Sequence, residues 1–159
     1  MHALPDGWSR ISTSLYYDDP KAAIDWLCKA FGFEVRLLVE GGDGSVVHSE
    51  LVYGEGVLMV SGCTARPFYR SPRSAGGNTQ SVMIYVLDDI EQHRARAVAQ
   101  GAKIFHELAV SDYGDEYWSD RSYGAVDLEG HHFWFTERLK TGNPDWSKVR
   151  NKVDRHTHK

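Results

Sequence analysis

The sequence is short of cysteine, of proline and of any excess of one charge. Its 159 residues hold two cysteines, Cys28 and Cys63, and five prolines. Two cysteines cannot staple a small secreted scaffold, and the mixture reads as that of a reduced, cytoplasmic protein. Eighteen Lys and Arg against 22 Asp and Glu leave a formal net charge of −4, so no broad positive field recommends nucleic acid or an anionic membrane as a partner. No run approaches the roughly 18 apolar residues that would span a bilayer. The opening MHALPDGWSR lacks the basic-then-apolar order of a secretory leader. Disorder is excluded by the opposite argument: 42% of the residues are apolar, enough at this length to build one sizeable core.

What is present is periodic. From Ile11 to Tyr17, Thr13, Leu15 and Tyr17 alternate with Ser12, Ser14 and Tyr16, the pattern of a half-buried strand. Asp19 is placed to cap a helix with Pro20 at its first position. Ile24, Leu27, Cys28 and Phe31 follow at helical spacing, and Gly32 closes the helix. Strands are predicted over Phe33 to Val39, Ser45 to Tyr53 and Val57 to Ser61, separated by glycine-rich turns. Residues 62–79 have no period and carry Arg66, Arg70 and Arg73, as a linker or lid would. A strand from Ser81 to Leu87 and a helix from Asp88-Asp89 to Gln100 come next. Three further strands are expected, at Lys103 to Leu108, Ser122 to Asp127 and His131 to Thr136. The tail, 139–159, has a short helix signal from Pro144 to Val153.

The order repeats. Tyr16, Asp19, Ala30, Gly32 and Val35 return 69 residues later as Tyr85, Asp88, Ala99, Gly101 and Ile104, which marks a duplicated module. The fold class is therefore α+β: two tandem βαβββ modules forming a curved mixed sheet around a cleft, with a short helical C-terminal tail. One domain over 1–138 comprises module 1 (about 11–61), the linker and module 2 (about 80–138).

Four segments carry a resemblance to a known family: Tyr17 to Leu27, His48-Ser49-Glu50-Leu51, Trp118 to Tyr123, and Asp127-Leu128-Glu129-Gly130-His131. Together with the duplication they resemble the vicinal oxygen chelate superfamily, which includes glyoxalase I, extradiol dioxygenases and bleomycin-resistance proteins. The likeness runs from about residue 11 to 138. It implies a homodimer and a small-molecule site in the cleft, but not a particular chemistry, because the superfamily hosts many on one scaffold.

In the metal-using relatives, four cleft positions supply ligands, and these map here onto Ser12, Glu50, Val82 and Trp134. Only Glu50 is a strong donor, while Val82 and Trp134 offer none, so the four-ligand site reads as lost and no cofactor is expected. The alternative is one divalent metal held at a displaced site around His48 and Glu50.

Two functions follow. In the first, a metal-independent binding protein stacks a planar or partly cationic molecule on Trp134, with Trp118, Tyr123, Arg121, Gln80 and His132 as further contacts. In the second, a glyoxalase-like lyase, isomerase or dioxygenase uses Glu50 as general base or ligand, His48 as its partner and Arg121 to polarise a carbonyl. That role asks for a Glu50 pKa raised toward neutrality. Arg121 has an equally good structural reading as a salt bridge to a neighbouring acid. Cys63 is expected to be an inert thiol.

Overall fold

The computed structural model describes residues 9–64 and 68–145. Module 1 consists of β1 (Thr13–Tyr17), α1 (Pro20–Phe31), β2 (Glu34–Glu40), β3 (Val46–Tyr53) and β4 (Gly56–Gly62). A one-turn α2 (Pro72–Ala75) interrupts the linker. Module 2 consists of β5 (Ser81–Tyr85), α3 (Ile90–Ala99), β6 (Lys103–Asp112), β7 (Trp118–Val126) and β8 (His132–Thr141). Each module forms its own four-stranded sheet, in the orders β1-β4-β3-β2 and β5-β8-β7-β6. The first strand of each pairs parallel with the last, and the other pairings are antiparallel.

The helices α1 and α3 start and stop where the sequence says they should, whereas α2 stands in a segment where no helix is expected. The Asp19 carboxylate accepts from the Ala22 amide at 3.0 Å, satisfying one of the unpaired donors of the first turn. Gly32 ends α1 at φ 82°, a conformation that costs a residue with a Cβ.

Leu15, Tyr17, Leu51, Leu58 and Val60 face α1, while Tyr123, Ala125, Phe133 and Phe135 face α3. All of them join one buried cluster with Ile24, Leu27, Phe31 and Ile90. Phe31 of α1 reaches across to Phe133 and Phe135, at ring separations of 4.9 and 4.7 Å. Both sheets thus turn their helix-covered faces into a shared core, and their other faces stay open.

Polar side chains lock the seam between modules. The Tyr17 hydroxyl donates to Asp127 at 2.6 Å, and burial together with that carboxylate pushes the tyrosine pKa well above its usual value. The other Asp127 oxygen takes the amides of Glu129, Gly130 and His131, which builds the turn. Glu129, almost wholly buried, accepts the amides of Asp18 and Asp19 at 2.7 and 2.9 Å and so serves the start of α1. His93 of α3 completes the lock: Nδ1 accepts from the Tyr123 hydroxyl at 2.6 Å and Nε2–H donates to the Phe31 carbonyl at 3.0 Å. Burial lowers its pKa to about 4, so the imidazole is neutral at ordinary pH.

Module 2 is longer than the sequence pattern indicates. β6 continues to Asp112, β7 begins at Trp118 and β8 runs to Thr141, with Trp118 in register with Thr141. Residues 109–112 and 118–121, outside the strands expected, are thus strand, and residues 139–141, expected in the tail, belong to β8. The tail helix expected over 144–153 falls largely outside the described residues, as does Arg66.

Candidate ligand-binding surface

The register of each sheet decides which side chains reach its open face. In module 1, His48 and Glu50 of β3 lie opposite Val39 and Leu37 of β2 on that face. A β-bulge between Val35 and Leu37 turns Arg36 the same way, and its Nε donates to Glu50 Oε2 at 2.9 Å. His48 Nε2 is 3.1 Å from the other Glu50 oxygen. Both oxygens are therefore engaged. The His48 hydrogen bond, and after it Arg36, hold the Glu50 pKa below its ordinary value against the opposing effect of desolvation. This corrects the raised pKa required of a general base: Glu50 is a stabilised carboxylate and a weak base.

In module 2 the open face is aromatic. Trp134 and His132 of β8 lie on it as expected, with Phe133 and Phe135 buried on the other side. The equivalent bulge, between Ile104 and His106, turns Phe105 onto this face. Phe105 stacks on His132 at 4.6 Å and 22°, and meets Trp134 edge-on at 5.1 Å. His106 borders Trp134 at 5.0 Å. Beneath Phe105 lies Gly124, where even a methyl group would collide with the ring. Phe105, Trp134 and His132 thus form an aromatic floor in which Phe105 and His132 lie face to face and Trp134 stands at right angles to Phe105. Farther along β8, Arg138 binds Asp120 and the Tyr85 hydroxyl, and lies over the Tyr85 and Trp118 rings at 5.2 and 5.4 Å.

Several expected site residues lie elsewhere. Tyr123 shares the helix-covered face with Phe135, is fully buried and bonds His93, so it is core and not a ligand contact. Arg121 is opposite Glu137 on that same helix side and bridges Glu137 and Glu91 of α3; of its two readings, the structural one is realised. Val82 shares the side of Phe133 and packs on the core, because β5 runs parallel to β8 in a register that gives the open face to Ser81 and Met83. Gln80 lies just before β5 at the edge of a groove beside the floor. Trp118 is on β7, with its ring against Arg138.

Sequence reasoning missed Arg36, Phe105, His106 and Arg138. Arg138 was within reach, since alternation from Trp134 along β8 leads to it. Arg36 and Phe105 were not, because each owes its direction to a bulge that breaks alternation.

The donor set for a metal does not converge. Glu50 is occupied by Arg36 and His48, Val82 points into the core, and Trp134 carries no ligand atom suited to a hard divalent ion. Registers also show that Trp134 corresponds to Met59 of module 1, and Glu50 to Gly124 of module 2, so the mapped positions are not symmetric. Among the described residues no three His, Cys, Asp or Glu side chains are grouped to hold an ion.

A groove of about 740 Å³ runs along the seam between modules, lined by residues such as Phe33, Tyr53, Ile84 and Arg96. None of Glu50, His48, Trp134 and His132 lines it, so the expected site residues do not share an intermodular cleft within one chain. The Cys63 thiol is raised in pKa, chiefly by burial, as an unreactive cysteine would be.

The βαβββ duplication with these open faces finds its match in a family model. Residues 10–135 fit the Glyoxalase/Bleomycin resistance protein/Dioxygenase superfamily. The chain belongs to that superfamily. An uncharacterised protein of Mycobacterium tuberculosis is 30% identical over 141 residues, covering 85% of this chain and 78% of its own length. The structure of TioX from a Micromonospora species is 36% identical, covers 82% of this chain and 100% of its own, and superposes with a TM-score of 0.60. A superfamily member from Sphaerobacter thermophilus has a TM-score of 0.63, covering 81% of this chain and 97% of its own, but at 15% identity it shows the fold alone. No helix among the described residues is long and apolar enough to cross a membrane.

Proposed function

We propose that this superfamily member is a cytoplasmic, metal-independent binding protein that holds a planar small molecule on the aromatic floor of module 2. One observation carries the reading: Trp134, Phe105 and His132 gather on an open sheet face, where a polar metal floor would be needed for superfamily lyase or dioxygenase chemistry. Aromatic faces of this kind contribute about 0.5–1.5 kcal/mol per stacked pair beyond area burial. Glu50, ionised and held by Arg36, supports no proton abstraction.

The partner is a second copy of the chain. Leu37 and Val39 on the open face of module 1, and Met83 and Phe105 on that of module 2, are each about 40–60% exposed, which leaves apolar surface for a homodimer to cover. A facing module would also wall the floor, which one chain leaves open.

Equilibrium dialysis against planar bicyclic aromatics tests the proposal. Retention by the wild type, lost by about tenfold in Trp134→Ala, is expected. No retention of any such compound, or retention indifferent to Trp134, overturns it. Sedimentation equilibrium is expected to give twice the chain mass, and a monomer at micromolar concentration contradicts the dimer.

A further inference from the structure

Beside the aromatic floor lies an open groove of about 1110 Å³, reached by Trp134, His132 and Phe105 and bounded by the α2 turn, the start of β6 and the turn 127–131. Four formally charged side chains line it: Arg73, Lys103, Asp127 and Glu129. The two acids are closed to direct contact with a ligand. Asp127 is 6% exposed, with one oxygen on the Tyr17 hydroxyl and the other on three backbone amides. Glu129 is 2% exposed, with both oxygens on the start of α1.

The two bases are in the opposite condition. Lys103 is exposed and enters no ion pair among the described residues. It lies opposite Val126, which lies opposite His132, so its side chain belongs to the open face in the same cross-strand row as the floor. Arg73 spends Nη2 on the Leu128 carbonyl at 2.8 Å and is likewise in no ion pair among the described residues. Asp120, the acid on the same open face, is neutralised by Arg138. The exposed charged side chains that a molecule on the floor would touch are therefore basic.

We infer that the ligand class is aromatic acids: a planar ring system stacked on Trp134 beside Phe105 and His132, with a carboxylate turned toward Lys103 and Arg73. This rests on the aromatic-floor reading and departs from the planar or partly cationic molecule expected on Trp134 from the sequence.

The test is isothermal titration at low ionic strength with naphthoate, naphthamide and naphthylmethylammonium, which share a ring system and differ in charge. Naphthoate is expected to bind about fivefold to tenfold more tightly than naphthamide, as one or two exposed charge contacts allow, with the advantage shrinking in added salt. The ammonium compound should bind most weakly. Lys103→Gln, an exposed substitution that leaves the core untouched, should erase about fivefold for naphthoate and nothing for naphthamide. If all three bind alike, or the ammonium binds best, the acid preference is wrong while the floor stands. If none binds, the floor itself is wrong and the inference falls with it.

Discussion

The two modules carry the same bulge at the same place and use it for opposite ends. Arg36 and Phe105, 69 residues apart, are the extra residues of β2 and β6, and each turns onto its open face across from equivalent strand positions. In module 1 that position is Glu50, and a partly buried ion pair results. In module 2 it is Gly124, and the missing side chain admits a phenyl ring. A single choice of residue on the neighbouring strand thus separates a face that carries an ion pair at this position from one that carries an aromatic ring there. The helix-covered faces show no such divergence, because both must fill one core.

That contrast can be attacked from several sides. The largest effect should come from the shared face: Phe133→Ala removes a fully buried ring that touches Phe31, Phe33 and Phe135. It is expected to cost about 3–5 kcal/mol in urea unfolding, since a cavity adds to the lost transfer energy.

Acid should act next, through His93. Its folded pKa of about 4 lies below the ordinary 6.5, so the neutral form is the one that folding favours. The stability this provides is complete above about pH 6.5 and is lost as pH falls toward 4, up to about 3 kcal/mol. Unfolding midpoints measured across that interval should fall, and a His93→Gln variant should show a shallower decline.

Filling the glycine breaks the comparison directly. Gly124→Val drives a side chain into Phe105, and should lose about 1–3 kcal/mol of stability and tilt the floor, seen as weaker retention of aromatic ligands in dialysis.

The smallest effects belong to the ion pairs. Arg121→Gln, on the helix side and about a quarter exposed, should cost no more than about 1 kcal/mol and leave ligand retention unchanged. Loss of binding in that variant would restore Arg121 to the site.

Period and punctuation made most of the fold legible. Asp19, Pro20 and Gly32 bracketed α1, and alternation sorted Trp134 and His132 from Phe133 and Phe135 correctly. The site was less legible, for three physical reasons. A bulge cancels alternation, which hid Arg36 and Phe105. The parallel register of β5 on β8 turned Val82 inward, and a count along one strand cannot reveal that. Finally, acids near aromatics look like a polarised cleft until their partners are known. Asp127 and Glu129 turn out to serve the seam, and Asp120 neutralises Arg138.

Naphthoate affinity before and after exhaustive dialysis against EDTA, with divalent ions then restored, separates binding by the rings of module 2 from binding through a metal. The same affinity is expected in all three states, with its loss in Trp134→Ala. Affinity that vanishes with EDTA and returns with a stoichiometric divalent ion would contradict binding by the rings.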